Sequence, residues 1–241
     1  MAKYLTMITV FTSSFNYSKH LRQAIESVLG QTYRDFEYHL IDYGSTDDTW
    51  KIMCEYTKDS RVKAIQIGPQ PNKVISMNHS ISIARGDFWV WCPADDYFHK
   101  TLLEKSRAYS KQYPRSVLYS DNHTIDDIGE IYTGRVREEF TDEQLKKEIW
   151  KRSVIGFTGI FIPMYVFREM KLLFPEDENY SEDYYWMIQA VMRGVKFRHI
   201  PEKLHYKREH KGSATNRDYK DIIANIKVIH EKLKGERDAG R

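Results

Sequence analysis

The first hundred residues alternate between short apolar segments and segments in which apolar residues recur every three or four positions. Short apolar segments of this kind are typical of buried strands. They cover residues 5–12, 37–42, 62–67 and 87–92. Helical segments lie between them, and Leu21, Ile25 and Val28 share one face of the first. Strands that alternate with helices predict an α/β fold with a mostly parallel central sheet and helices on both faces.

The second half of the chain gives more varied signals. Helices are predicted over residues 102–112, 141–150 and 181–194, and strands over residues 117–120 and 197–200. Residues 125–131 predict a hairpin with Gly129 in its turn. A last helix carries an apolar stripe before a charged tail, formed by Ile222, Ile226, Ile229 and Leu233. The second half is therefore expected to be mixed rather than regularly alternating.

Polar side chains are expected to cap several of these helices. Ser18 and Ser181 precede helical segments and can accept hydrogen bonds from N–H groups of the first turn. Two pairs have the spacing of a capping box, namely Ser45 with Asp48 and Thr141 with Gln144.

Composition and charge narrow the class of protein. A length of 241 residues suits one domain, and a net charge of +3 gives no reason to expect a nucleic-acid partner. Cys54 and Cys92 lack the spacing of a disulfide framework or a zinc site. The first residues do not resemble a signal peptide, and no apolar run approaches the roughly 20 residues of a membrane span. We expect a cytoplasmic protein without a membrane span, with peripheral attachment to the inner face of the membrane as an alternative.

Three acidic sites stand where an open α/β sheet binds ligands, beyond the carboxyl ends of its strands. Asp42 ends the second predicted strand, where it could accept from a base or a ribose hydroxyl or simply stabilise a turn. Asp95 and Asp96 follow the fourth strand as adjacent carboxylates, which repel each other unless a divalent cation such as Mn²⁺ or Mg²⁺ lies between them or solvent screens them. Asp183 begins a predicted helix, where it could act as a general base or only favour the helix dipole.

Several ordered motifs resemble family 2 of the glycosyltransferases, which has the GT-A fold. The resemblance covers about residues 7–215. The motifs are residues 9–16 (TVFTSSFN), 27–37 (SVLGQTYRDFE), 41–47 (IDYGSTD), 84–87 with 94–96 (ARGD and ADD), 181–186 (SEDYYW) and 200–213 (closing in REHKGS). Because they occur in the family's order, together they are far more specific than any one of them.

The resemblance implies a nucleotide-sugar donor, with a UDP-sugar favoured. Phe15, flanked by Ser14 and Asn16 in the first motif, would stack on the base, and Asp42 would hydrogen-bond it. Asp95 would face the ribose or the sugar. Arg208, His210 and Ser213 would lie on a loop that closes over the diphosphate.

The resemblance also implies a metal and a base. Asp96, with Asp95 and His210, would hold Mn²⁺ or Mg²⁺, which would stabilise the leaving nucleotide diphosphate. Asp183 would take the proton from an acceptor hydroxyl, so that a single displacement inverts the anomeric centre. The expected acceptor is a glycan or a lipid-linked saccharide in cell-surface polysaccharide or glycan synthesis. Residues 1–98 would bind the donor, residues 99–215 would bind the acceptor, and residues 216–241 would form a C-terminal helix and tail.

Some positions depart from the family pattern. Ser13, Tyr43 and Pro93 replace a proline and two acids, and residues 76–78 lack an arginine for which Lys73 could compensate. These departures leave two alternatives open: a non-catalytic nucleotide-sugar-binding GT-A module and a sugar-phosphate nucleotidyltransferase. The sequence indicates neither the particular sugar nor an oligomeric state.

Overall fold

The computed structural model describes residues 7–68, 73–176, 181–210, 228–231 and 233. The strands in these ranges are β1 (Ile8–Ser14), β2 (Phe36–Asp42), β3 (Val62–Gln66), β4 (Phe88–Trp91), β5 (Tyr97–Phe98), β6 (Ser116–Ile125), β7 (Ile131–Arg135), β8 (Phe161–Pro163) and β9 (Lys196–Arg208). The α-helices are α1 (Ser18–Leu29), α2 (Thr49–Glu55), α3 (Lys73–Ile83), α4 (Leu102–Gln112), α5 (Asp142–Glu148), α6 (Tyr165–Arg168) and α7 (Glu182–Met192). A short 3-10 helix, Tyr56–Lys58, follows α2.

The strands form one sheet in the order β3-β2-β1-β4-β8-β6-β9-β5, with β7 paired to β6. The first four strands in this order are parallel to one another, as the alternating pattern predicted. From β8 onward the pairing is mixed, because β8 is antiparallel to both β4 and β6 while β6 and β9 are parallel. The fold is therefore α/β with a parallel block of four strands and a mixed second half.

Apolar residues fill both faces of the sheet. On β1, Ile8 and Val10 belong to one buried cluster, which α1, α2 and α4 cover, and Phe11 belongs to the other. The second cluster packs under α3, α5, α6 and α7. This alternation follows from the two-residue period of a strand and confirms helices on both faces of the sheet. Ile229 and Leu233 of the predicted last helix are buried in the second cluster, whereas Ile222 and Ile226 lie outside the described residues.

The capping predictions have different outcomes. Thr141 and Gln144 form the predicted capping box at the start of α5. Ser18 is not a cap but the first residue of α1, and Ser181 stands at the N-cap position of α7 without a side-chain cap bond. The capping box of Ser45 and Asp48 is also absent, since the Ser45 hydroxyl accepts from another segment.

A single carboxylate serves two of these helix starts instead. Asp47 accepts from the Ser18 N–H at 3.1 Å through Oδ2 and from the Thr49 N–H at 3.0 Å through Oδ1. It thus ties the beginning of α1 to the beginning of α2. A contact between distant segments replaced the local caps that the spacing predicted.

Gly86 allows β4 to lie against β1. Its N–H donates to Thr9 Oγ1 at 3.0 Å, and a Cβ at this position would lie 2.5 Å from the Thr9 backbone nitrogen. Only glycine fits such a close backbone approach. Among the helices of the described ranges, none combines the length and the apolar character that a membrane span requires.

Candidate active site

The carboxyl ends of three adjacent parallel strands define the candidate active site. Ser14 ends β1 and pairs with Asp42, which ends β2, while Trp91 ends β4 on the other side of β1. Ligands of open α/β sheets bind at this edge. The structure therefore brings the first two predicted nucleotide motifs together, and the acid pair follows β4 on the same edge.

Asp42 is fully buried and held by hydrogen bonds. Its Oδ1 accepts from the Ser45 N–H at 3.2 Å, and its Oδ2 accepts from Gln66 Nε2 at 2.9 Å. Beside it, Ser14 Oγ is buried and has no hydrogen-bond partner among the described residues. A buried hydroxyl without a partner is costly, and a polar ligand group at this edge would satisfy it.

Phe15 and Tyr43 stack on each other beside Asp42, and Phe15 is the exposed member of the pair. Their ring centroids lie 5.5 Å apart with an interplanar angle of 22°, and Phe15 is 42% exposed. Asn16, which follows Phe15, has a positive φ of 58° and accepts from the Thr46 N–H at 2.8 Å. This bond fixes the turn after β1 against the turn after β2. The aromatic residue that replaces the family's second acid thus supports the predicted stacking residue.

Asp96 is the buried member of the acid pair that it forms with Asp95. Its Oδ2 accepts from Thr158 Oγ1 at 2.7 Å, and its Oδ1 accepts from the Arg208 N–H at 2.8 Å. Burial, and then the neighbouring Asp95 carboxylate, raise the pKa of Asp96 to about 7 despite these hydrogen bonds. A positive charge bound here would favour the ionised form.

His210 lies beside the acid pair, with Nε2 3.3 Å from Asp95 Oδ2. Its ring centroid is also 5.5 Å from that of His20 on α1, and His20 contacts Asp127 in the turn between β6 and β7. Ser213, the third member of the predicted closing loop, lies outside the described residues.

The expectation that Arg208 lies in a loop is wrong, because it is the last residue of β9 and is buried. Its guanidinium donates to the carbonyls of Asp95, Asp126 and Asp127 and to Gln23 Oε1. These bonds hold the backbone of the acid pair against the hairpin and α1. Contact of Arg208 with the donor remains a prediction.

The chemistry of the acid pair suits a divalent cation. Carboxylate oxygens are the ligands that Mg²⁺ and Mn²⁺ favour, and the His210 imidazole lies beside Asp95, which precedes Asp96. In the part of the chain that the structure describes, however, no three such side chains converge as a ready-made metal cluster. Both Asp96 oxygens bond to neighbouring groups, so a metal bound here would displace or share those contacts.

Asp183 lies in the first turn of α7, after the buried Glu182. Burial, and then the Glu182 carboxylate, raise the pKa of Asp183 to about 6, while Lys73 opposes this shift. Lys73 Nζ lies 2.6 Å from Glu182 Oε1 and 5.5 Å from the centroid of the Trp91 ring. Lys73 therefore connects the beginning of α7 to the carboxyl edge of β4.

Two residues at this site carried little sequence signal. Thr158 binds Asp96 from a loop whose only sequence cue is its position between Gly156 and Gly159. Lys73 stood out only because a family arginine is missing nearby, and its partner Glu182 is far away in sequence. Both contacts are long-range, so spacing along the chain could not reveal them.

These features define an α/β protein with three kinds of candidate site. The carboxyl ends of its parallel strands form an edge at which open α/β sheets bind ligands, a pair of carboxylates follows β4, and a separate carboxylate lies on α7. Residues 9–170 match the family model described as "Glycosyl transferase family 2". The chain belongs to this family and is a glycosyltransferase, as the motifs predicted.

Curated relatives agree with this assignment. The chain is 23% identical over 228 residues to the UDP-Glc:alpha-D-GlcNAc-diphosphoundecaprenol beta-1,3-glucosyltransferase WfaP of Escherichia coli, covering 93% of this chain and 86% of that protein. It is 26% identical over 202 residues to an uncharacterized glycosyltransferase of Methanocaldococcus jannaschii, covering 82% of this chain and 69% of that protein. The comparisons do not favour a sugar-phosphate nucleotidyltransferase or a non-catalytic module.

Solved glycosyltransferase structures confirm the GT-A fold. The 1–349 fragment of S. aureus TarS in complex with UDP-GlcNAc superposes with a TM-score of 0.73 at 19% identity, over 92% of this chain and 66% of that one. A Pyrobaculum calidifontis mannosyltransferase in complex with GDP-Man and Mn²⁺ superposes with a TM-score of 0.69 at 14% identity, over 95% of this chain and 64% of that one. The chain thus spans about two thirds of the length of these structures.

Proposed function

We propose that this glycosyltransferase moves a sugar from a UDP-sugar to an acceptor hydroxyl with inversion of the anomeric centre. The observation that carries the proposal is the contact of Lys73 with both Glu182 and Trp91, because it joins the α7 acids to the sheet edge that carries Asp96. A base and a leaving-group site are needed on opposite sides of one reacting carbon. A cell-surface polysaccharide or glycan is the proposed product, and the WfaP relative is named as a glucosyltransferase that acts on GlcNAc-diphosphoundecaprenol, which carries a saccharide.

The nucleotide would bind at the ends of β1 and β2. Phe15, held by Tyr43, offers an exposed ring face on which a base can stack. Asp42 and the unpartnered Ser14 hydroxyl lie deeper on the same edge, where a base N–H or a ribose hydroxyl can reach them. UDP is the proposed nucleotide, because TarS was solved with UDP and UDP-GlcNAc and the WfaP relative uses UDP-Glc.

The donor diphosphate would lie beside the acid pair. Asp96, Asp95 and His210 are the proposed ligands of Mn²⁺ or Mg²⁺, and the mannosyltransferase that superposes on this chain was solved with Mn²⁺. Such a cation, when bound, supplies positive charge that stabilises the departing diphosphate. Thr158 and the Arg208 N–H fix the orientation of the Asp96 carboxyl group from the protein side.

Asp183 would act as the general base. A pKa of about 6 leaves its carboxylate ionised at neutral pH, yet makes it a stronger base than an ordinary aspartate. As the acceptor oxygen attacks the anomeric carbon, its proton passes to an Asp183 oxygen, and the bond from that carbon to the diphosphate oxygen breaks on the opposite side. The charges of Glu182 and Lys73 act on the pKa of Asp183 in opposite directions, since Glu182 raises it and Lys73 lowers it.

The acceptor would bind beside the second half of the chain. A glycan or a lipid-linked saccharide is proposed, since the WfaP relative is named for a diphosphoundecaprenol-linked acceptor. A cytoplasmic location, with peripheral attachment at the inner face of the membrane, would suit such an acceptor.

Isothermal titration with UDP, with and without Mn²⁺, tests the donor assignment. We expect UDP to bind with Mn²⁺ present and to bind at least tenfold more weakly after chelation. Transfer from UDP-glucose or UDP-GlcNAc to lipid-diphosphate saccharides, followed by mass spectrometry, tests turnover. If UDP does not bind under either condition, the donor assignment is wrong. Metal-dependent UDP binding without transfer or donor hydrolysis would instead favour a non-catalytic module.

A further inference from the structure

The proposed acceptor half contains a partly buried cation, Arg137, that forms no ion pair with a described side chain. Arg137 follows β7, and its Nε atom is buried without a hydrogen-bond partner among the described residues. The nearby carboxylate of Asp121 does not bond to the guanidinium. Its Oδ1 instead accepts from the Arg137 backbone N–H at 2.7 Å and from His199 Nε2 at 2.8 Å.

Among the charges that act on Arg137, the like charge of Arg135 outweighs the carboxylate of Asp121. Burial, and then the neighbouring Arg135, lower the pKa of Arg137 to about 10, and Asp121 offsets this only in part. Burial, followed by the charges of Arg137 and Lys207, also lowers the pKa of His205 to about 3, so that this imidazole stays neutral. An unpaired buried cation destabilises a fold unless a bound anion compensates for it.

The Arg137 side chain lies close to the candidate active site. A Cβ on Gly156 would come within 2.4 Å of Arg137 Nη2, so glycine at this position leaves room for the guanidinium. Thr158, two residues further along the same loop, donates to Asp96 Oδ2 at 2.7 Å. The loop that contains Gly156 and Thr158 therefore lies between Arg137 and Asp96.

We propose that Arg137 binds a negatively charged group of the acceptor, either a phosphate or a carboxylate carried by the saccharide. The inference rests on the proposed function, because it assigns a chemical class to the acceptor of that reaction. A guanidinium suits this role, since its N–H groups can donate two parallel hydrogen bonds to either anion. A purely structural arginine would be expected to have a carboxylate or carbonyl partner, which the described residues do not provide for this side chain.

Binding of small acceptor fragments tests the proposal. With UDP and Mg²⁺ at saturation to fill the donor site, wild type is titrated with glucose 1-phosphate, glucuronic acid and glucose by NMR. We expect at least one of the two anions to bind about tenfold more tightly than glucose, and the tighter one identifies phosphate or carboxylate as the group. Arg137→Gln should abolish the preference, whereas the exposed neighbour variant Arg135→Gln should retain it. Equal binding of all three sugars to wild type, or equal loss in both variants, would overturn the proposal.

A second variant separates anion binding from folding. Gly156→Ala should displace the guanidinium without removing its charge and should reduce the preference, whereas Gly68→Ala, which has open space, should not. Arg137→Gln should leave the Tm unchanged or raise it, because it removes an unpaired charge. A lower Tm of Arg137→Gln together with an intact preference in Gly156→Ala would show that Arg137 is structural. Failure of wild type to bind UDP would contradict the proposed function instead, so the two failures are distinguishable.

Discussion

Lys73 and Glu182 form an ion pair, with 2.6 Å between Nζ and Oε1, at the point where α3 and α7 begin. Glu182 is 2% exposed and Lys73 is 29% exposed, so the pair is largely removed from water. Burial lowers the pKa of Lys73, but the carboxylates of Glu182 and Asp183 outweigh burial and raise it above its ordinary value. The pair therefore keeps one positive and one negative charge beside the proposed base.

Variants of this pair should shift the pH dependence of transfer in opposite directions. Glu182→Gln removes a negative charge that raises the pKa of Asp183, so the acidic limb of the pH–rate profile should move to lower pH. Lys73→Met removes the opposing positive charge and should move the limb to higher pH. Because it leaves Glu182 buried and unpaired, Lys73→Met should also lower the free energy of unfolding by about 3 kcal/mol. The double variant is the control and should recover most of that loss; identical profiles for both single variants would contradict this account.

Phe15→Ala should weaken UDP binding. Loss of base stacking on an exposed ring is worth about 1 kcal/mol, which corresponds to a roughly fivefold higher Kd. Calorimetry with Mn²⁺ present measures the change, and Ile128→Ala, at an exposed apolar residue of the hairpin, is the control. An unchanged Kd for Phe15→Ala would place the base elsewhere.

Gly86→Ala should destabilise the fold through a backbone clash. The new Cβ would lie 2.5 Å from the Thr9 nitrogen and 2.9 Å from the Ile8 carbonyl carbon, so β1 and β4 would have to separate. Overpacking of this kind costs about 1–3 kcal/mol, which urea unfolding would show as a lower midpoint. Gly68→Ala, with no atom within 4 Å of the new Cβ, should change the stability by less than about 0.5 kcal/mol. Equal midpoints for the two variants would contradict the close approach.

Glu37 should make the fold sensitive to acid. Burial alone would raise the pKa of this carboxyl group, but the His39 imidazole 3.5 Å away, together with hydrogen bonds from Arg85 and Thr9, outweighs burial and holds the pKa well below its usual range. A carboxyl group with a lowered pKa stabilises the fold at neutral pH, and this stability is lost from about pH 5 downward. The Tm of wild type should therefore fall more steeply between about pH 5 and pH 2 than that of Glu37→Gln. Glu169→Gln, in an exposed ion pair, should follow wild type.

The sequence could predict elements whose signals are local. The bounds of α4 agree with the predicted residues 102–112, and the capping box at Thr141 formed because both of its partners lie within one helical turn. The two-residue β5 and the three-residue β8 were missed, since neither is long enough to show a hydrophobic period. β9 continues well past its predicted end at residue 200, because pairing with β6 stabilises a segment that is largely polar.

For the candidate site too, the sequence could predict what depends on local position but not what depends on the tertiary fold. Asp42, Asp96 and Asp183 could be selected from their positions after strands or at a helix start, together with the family resemblance. The contacts around Asp96 and Asp183 could not be predicted, because Lys73, Thr158 and Arg208 approach these acids only through the tertiary fold. Similarly, Arg137 is distinguished by a buried Nε atom that has no hydrogen-bond partner among the described residues, which no local pattern encodes.

As the proposed general base, Asp183 would remove the acceptor proton without taking part in donor binding. Transfer rate and UDP affinity of Asp183→Asn, measured side by side with wild type, test this role most directly. The amide cannot accept the proton but is nearly isosteric, so the rate should fall by about 10²- to 10⁴-fold while the Kd for UDP stays within about twofold. A variant that transfers sugar at the wild-type rate would contradict the account.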